Sequence, residues 1–248
     1  MDKFNKLIEI VKKLRSPNGC DWDKEQTHQS LIPYLLEETH EVIEAIENKD
    51  YDALKEELGD LILHVIFQAD LALDKNKFSV DDLLDGINKK LINRHPHIFL
   101  NNSDNSYKKG SWEATKKKEK NRDSVLDGVP KSLPALLLSR RIQEKAAGVG
   151  FDWDNNNQVL DKVDEEVSEL KESIIKNKGI DEELGDVLFS LVNLSRHLDI
   201  DPELSLKRST EKFMKRFKAI EKEVDIEKLS LEELDEIWNR NKRDNLKK

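Results

Sequence analysis

Cysteine is nearly absent. Cys20 is the only one in 248 residues, so no intrachain disulfide can form and no zinc site built on several thiolates can be assembled. Glycine and proline are sparse, at nine and six, which disfavours a turn-rich β fold and favours long helices. No apolar run approaches the roughly 20 residues needed to cross a bilayer, and no membrane association is expected. The opening residues Met1-Asp2-Lys3-Phe4-Asn5 lack the apolar stretch of a secretory leader, so the expected location is the cytoplasm. Positive charge is also in deficit. A net charge of −9 is a poor basis for sequence-independent DNA or RNA binding, although it leaves room for a local basic pocket holding a small phosphorylated ligand. The chain is 38% charged and 37% hydrophobic. That suffices for a core, but suggests thin helical layers with wide wet faces.

The sequence is written twice. Gly19-Cys20-Asp21-Trp22-Asp23 returns as Gly150-Phe151-Asp152-Trp153-Asp154. Leu36-Glu37-Glu38-Thr39-His40-Glu41 pairs with Asp164-Glu165-Glu166-Val167-Ser168-Glu169, and Glu56-Glu57-Leu58-Gly59-Asp60 with Glu182-Glu183-Leu184-Gly185-Asp186. Lys90-Leu-Ile-Asn-Arg94 matches Lys212-Phe-Met-Lys-Arg216, and Trp112-Glu-Ala-Thr-Lys116 matches Trp238-Asn-Arg-Asn-Lys242. The offsets run from 122 (Lys90 to Lys212) to 131 (Gly19 to Gly150). Five signatures in one order indicate duplication rather than chance. Residues 101–110 are polar and read as a loop inside the first copy. The punctuated stretch Asp127-Gly128-Val129-Pro130 places a linker near 121–134. The expected organisation is therefore a first domain over 1–120 and a second over 135–248.

Both copies read as helical. Ile32, Leu35, Leu36, Val42, Ile43 and Ile46 give a broad apolar helical face up to a break at Asn48-Lys49-Asp50. A second helix follows, with Leu54, Leu58, Leu61, Ile62, Val65, Ile66 and Ala69 inward. The second copy repeats this from Val159 to about Ile175, breaks at Asn177-Lys178-Gly179, and resumes from Ile180 to about Leu198. Apolar residues do not alternate, so strands are disfavoured and an all-α fold of two repeated helical bundles is expected.

Helices joined by a short turn pack antiparallel. Glu38 and Glu41 share a helix face, as do Glu57 and Asp60. Glu41 and Glu57 lie eight residues either side of Lys49, and Glu169 and Glu183 lie seven either side of Lys176. Four carboxylates can therefore meet at one height in each copy: Glu38, Glu41, Glu57 and Asp60, then Glu166, Glu169, Glu183 and Asp186. A single Glu pair would be an ordinary solvated face. Two pairs level across a hairpin and present twice are not, because four like charges together need protons or a cation. All-oxygen ligands suit Mg²⁺, or Mn²⁺ in its place, over zinc or copper. A dinuclear iron bundle would add Glu-x-x-His motifs. Here His40 and His64 become Ser168 and Ser190 in the second copy, so both histidines read better as helix-surface or interface residues.

The remaining repeated residues suit a phosphorylated ligand. Lys212 and Arg216 lie one turn apart and can face the same phosphates, as can Lys90 and Arg94. Trp238 and Lys242, and likewise Trp112 and Lys116, are one turn apart. A tryptophan there can stack any base or simply pack in a core.

Glu-Glu-x-x-Glu, a gap, then Glu-x-x-Asp resembles the signature of the MazG nucleoside triphosphate pyrophosphohydrolases. Gly19-Cys20-Asp21-Trp22-Asp23-Lys24-Glu25-Gln26-Thr27 resembles the opening of the tandem-domain bacterial members, with Asp21 where many relatives have Pro. Lys131-Ser132-Leu133-Pro134-Ala135-Leu136 and Val149-Gly150-Phe151-Asp152-Trp153 resemble the start of their second domain. The resemblance implies subunits that pair as homodimers and Mg²⁺-dependent hydrolysis of NTPs and dNTPs to monophosphate and pyrophosphate. It also implies broad base tolerance and a house-cleaning role in the nucleotide pool. It implies metal ligation by Glu166, Glu169, Glu183 and Asp186, with Glu38, Glu41, Glu57 and Asp60 holding the same motif in the first copy. The expected chemistry has Glu166 or Glu169 orienting or deprotonating water and Lys212 and Arg216 stabilising the leaving pyrophosphate. The second copy is the preferred active one. Two rivals stand beside this reading: a non-catalytic nucleotide-binding helical regulator, and a pyrophosphatase restricted to dUTP or dCTP.

Overall fold

The computed structural model describes residues 3–99 and 123–244. All regular structure among them is helical. The chain divides into two compact units, Met1–Asn105 and Ser106–Lys248.

The first unit contains α1 (Lys3–Leu14), α2 (Asp21–Glu25), α3 (Ile32–Asn48), α4 (Tyr51–Asp74), α5 (Val80–Arg94) and α6 (Pro96–Phe99). The break expected at Asn48-Lys49-Asp50 is the α3–α4 turn. Lys49 takes a left-handed conformation, with φ of 56°. The Lys49 N–H donates to Ile46 O at 3.2 Å and the Asp50 N–H to Ala45 O at 2.9 Å, which satisfies the orphan carbonyls of α3. Asp50 then caps α4, its carboxylate accepting from the N–H groups of Asp52 and Ala53 at 3.1 Å each. The core forms where α1 meets α4: Val11, Leu31, Ile66, Phe67 and Leu71 are buried together. At the end of α1, Arg15 pairs with Asp70 and Asp74 on α4 and lies 5.5 Å from the Phe67 ring centroid.

The second unit contains α7 (Ala135–Ala147), α8 (Asn156–Lys176), α9 (Ile180–His197), α10 (Pro202–Glu223) and α11 (Leu231–Asp244), with a 3₁₀ turn at Ile226–Lys228. The α8–α9 turn repeats the first hairpin. Asn177 is left-handed at φ 48°, and Asn177 and Lys178 N–H groups donate to Ile174 and Ser173 carbonyls at 3.2 and 3.1 Å. Gly179 follows at φ 75°, a conformation that costs glycine little. Asn155 caps α8 through Asn157 and Gln158. Val159, Val187, Val192 and Ile220 are buried. Residues 123–134, most of the expected linker, include Val125, whose carbonyl accepts from Lys145 Nζ of α7 at 2.8 Å.

Candidate metal centre and its cavity

The two hairpins gather carboxylates as equal spacing from each turn requires. In the first unit, ligand atoms of Glu38, Glu41 and Glu57 lie within 4.8 Å of one another; in the second, those of Glu166, Glu183 and Asp186 do. Each cluster thus closes on three groups rather than four. Residues three apart on a helix are displaced by roughly 4.5 Å along its axis, so the outermost carboxylate stands off unless something draws it in. Asp60 and Glu169 are those fourth members, and both act electrostatically on their clusters.

Burial and like charge act together at both sites. Desolvation, reinforced by Asp60, Glu41 and Glu57, pushes the Glu38 carboxyl up to about 7. Glu57 is raised by desolvation and by Glu41, Glu56 and Asp60. Glu183 is raised by desolvation and then by Glu169, Asp186 and Glu166. Carboxylate oxygens gathered this closely are the donor set a hard divalent cation fits.

The second cluster has a cation of its own that sequence reasoning missed. Lys162 Nζ lies 2.8 Å from Glu166 Oε1 and 2.9 Å from Glu165 Oε1. Hydrogen bonds to Glu166 and Glu165 raise its pKa and keep it charged. Its i,i+4 relation to Glu166 was the available signal, but the first copy has Tyr34 at that position, so the comparison of repeats passed over it.

Glu166, Asp186 and Lys162 line one side of a cavity of about 610 Å³, whose other walls include Phe151, Trp153, Phe189 and Asn193. The loop bearing Phe151 and Trp153 is tied to α9. Arg196 Nη1 donates to Asp152 Oδ2 at 2.9 Å, Nη2 also reaches Asp152, and His197 Nε2 lies 3.0 Å from Asp152 Oδ1. Burial works against the Asp152 charge, but Arg196 and His197 prevail and hold its carboxyl down at about 2.

The first unit has diverged around the same point. Asn193 and Arg196 correspond to Phe67 and Asp70, and Lys162 corresponds to Tyr34. Phe67 is 5% exposed within the α1–α4 core, and Trp22, the counterpart of Trp153, meets Tyr34 edge-on with centroids 5.8 Å apart. Phe67 and Tyr34 therefore stand where Asn193 and Lys162 line the second-unit cavity, and Asp70 reverses the charge of Arg196.

The other expected ligand contacts fall elsewhere. Lys212 and Arg216 lie on α10 and Trp238 and Lys242 on α11. The Trp238 ring is engaged by Phe213, 5.1 Å between centroids, and by the Arg216 guanidinium at 5.7 Å. Lys212 and Lys242 are exposed. In the first unit Lys90 is exposed and Arg94 buried on α5. Trp112, Lys116 and the loop expected at 101–110 lie outside the described residues.

The profile described as "MazG nucleotide pyrophosphohydrolase domain" matches residues 26–99 and again 155–221. The chain is 46% identical over 246 residues to a Thermotoga maritima protein named nucleoside triphosphate pyrophosphohydrolase/pyrophosphatase MazG, covering 96% of this chain and 95% of that protein. It is 41% identical over 258 residues to the Escherichia coli K12 nucleoside triphosphate pyrophosphohydrolase, covering 98% of each. It is also 42% identical to an uncharacterised Bacillus subtilis protein, covering 96% of this chain and 51% of that one.

Proposed function

The chain belongs to the MazG nucleotide pyrophosphohydrolase family, and from that premise we propose that its second unit hydrolyses NTPs and dNTPs to monophosphate and pyrophosphate on a divalent cation. The observation that carries this reading is the convergence of Glu166, Glu183 and Asp186 at the edge of a cavity that also presents Lys162. Those three carboxylates, with Glu169, are the residues that would hold Mg²⁺, or Mn²⁺ in its place. Such an ion supplies Lewis acidity toward a phosphoryl oxygen and acidifies a coordinated water.

The chain's own groups do the rest. Glu169 is exposed and outside the closest trio, so of the four proposed ligands it is the one best placed to orient and deprotonate water as well. Lys162 offsets charge between Glu166 and an incoming phosphate. Lys212 and Arg216, on α10 outside that cavity, are the cations proposed to offset charge on the leaving pyrophosphate. The first unit retains Glu38, Glu41, Glu57 and Asp60, with Lys90 and Arg94, but Tyr34 in place of Lys162 and Phe67 in place of Asn193 make it the lesser contributor. No helix among the described residues is long and apolar enough to cross a membrane. The cytoplasm is the proposed location, and free nucleotides rather than DNA or RNA are the proposed partners. Exposed Leu184, Leu188 and Leu191 on α9, and Leu58, Ile62 and Val65 on α4, support a homodimer in which paired hairpins complete helical bundles.

The test is pyrophosphate release by the full chain with Mg²⁺ across NTPs and dNTPs. Release from several bases is expected. Release from dUTP or dCTP alone would instead restrict the substrate, and release from none would overturn the reading. Glu169→Gln should abolish turnover with helical content unchanged. Asp186→Asn should cost far more than Asp60→Asn; equal losses would refute the preference for the second unit.

A further inference from the structure

The loop between α7 and α8 carries Phe151 and Trp153 along one wall of the second-unit cavity. Asp152, between them, ties that loop to α9. Its carboxylate accepts from both terminal nitrogens of Arg196, with Nη1 reaching Oδ2 at 2.9 Å. A bidentate pair of this kind fixes direction as well as distance. His197 Nε2 lies 3.0 Å from Oδ1, and the Trp153 N–H donates to the same oxygen at 2.9 Å. The Arg196 and His197 side chains are 14% and 11% exposed, so salt screens the pair less than it would a surface pair.

The same guanidinium has a second partner. Arg196 Nε and Nη2 donate to Asn193 Oδ1 at 3.1 and 2.8 Å. Arginine has only donors, so these bonds settle which end of the Asn193 amide is oxygen and leave Nδ2 as its other polar end. Asp186, Phe189, Asn193 and Arg196 follow one another at helical spacing on α9, and all four border the cavity. One ion pair therefore sets the aromatic loop and an amide in register with the helix that supplies Glu183 and Asp186. In the first unit the same positions are paired otherwise. Asp70, at the Arg196 position, meets Arg15 of α1, and Asp21, at the Asp152 position, meets Lys24 of its own short helix at 2.8 Å. Two carboxylates cannot make the bond that Asp152 and Arg196 make.

We propose that Asp152 is a positioning residue of the second unit, acting through Arg196 to hold the Phe151–Trp153 loop and the Asn193 amide in place before substrate arrives. The inference rests on the proposed pyrophosphohydrolase activity. Asp152 itself neither ligates the metal nor touches the reacting atoms. Without its bond to Arg196, ordering the loop and the amide becomes part of the cost of binding. The bond is the same before and during phosphoryl transfer, so it bears on bound substrate and on the transition state alike. Loss of such uniform binding raises KM and leaves kcat.

The test uses the full chain carrying Asp60→Asn, so that turnover reports the second unit, and measures pyrophosphate release from ATP with Mg²⁺. Adding Asp152→Asn should raise KM about ten-fold and leave kcat within about two-fold. Arg196→Gln should act in the same sense. The two together should be no worse than the poorer of them alone, because both remove the same ion pair. Helical circular dichroism checks each fold; Asp152→Glu or Arg196→Lys replaces a variant that loses it. An unchanged KM in Asp152→Asn would overturn the inference, as would a fall in kcat that matches or exceeds the rise in KM. Losses that multiply when the two are combined would also overturn it, because Arg196 would then act without Asp152. No hydrolysis of ATP by the Asp60→Asn protein overturns the second-unit assignment itself, an outcome distinct from turnover indifferent to Asp152.

Discussion

At the scale of residues, the carboxylates set a pH signature. The ordinary value for Glu38 is 4.5, and its surroundings lift it to about 7. A carboxyl raised on folding binds its proton more tightly in the native state. Its stabilising contribution is therefore complete below 4.5 and is lost as pH rises through about 7. The metal-free protein should lose thermal stability across that window. Added Mg²⁺ should restore more at pH 8 than at pH 5, because a cation binds the ionised cluster. Thermal melts with and without EDTA check this; a metal-induced shift independent of pH would contradict it. Asp152 runs the other way. Depressed from 3.8 to about 2, it contributes stability above 3.8 that is lost only as pH falls through about 2.

At the scale of elements, the hairpin is the part of the duplicated domain that both copies kept most alike. Both turns use a left-handed non-glycine residue and the same pair of backbone hydrogen bonds, at Lys49 and Asn177. They differ in the next cap: Asp50 closes α4 with its side chain, whereas Gly179 brings none to α9. Asp50→Ala should lower unfolding stability by about 1 kcal/mol, read from urea denaturation. An unchanged midpoint would mean that the backbone bonds of the turn hold it alone. The breaks and the helical periods were legible in the sequence because they depend on residues only a few positions apart. The standing-off of Asp60 and Glu169 was not, because it depends on how two helices settle against each other.

At the scale of the whole molecule, duplication has been followed by divergence. One copy buried Phe67 against α1, while the other kept Asn193 at an open cavity. The apolar residues left exposed on α4 and α9 argue for a second copy of the chain as their cover. Sedimentation equilibrium should give twice the 28.8 kDa of the chain. Leu188→Glu should shift the protein toward the monomer, and a monomeric unsubstituted protein would refute the homodimer.

The sequence by itself determined the four hairpin helices, the doubling and the two sets of four carboxylates, together with a resemblance that named the family. Each of these follows from periodicity or from a signature repeated in order. Only the tertiary structure decided which three carboxylates converge, that Lys162 joins one cluster, that Trp238 is engaged by Phe213 and Arg216, and that Arg196 joins Asp152 to Asn193. The ion pair spans 44 residues, from Asp152 to Arg196. No local pattern encodes such a contact, because it exists only once the loop before α8 has packed against α9.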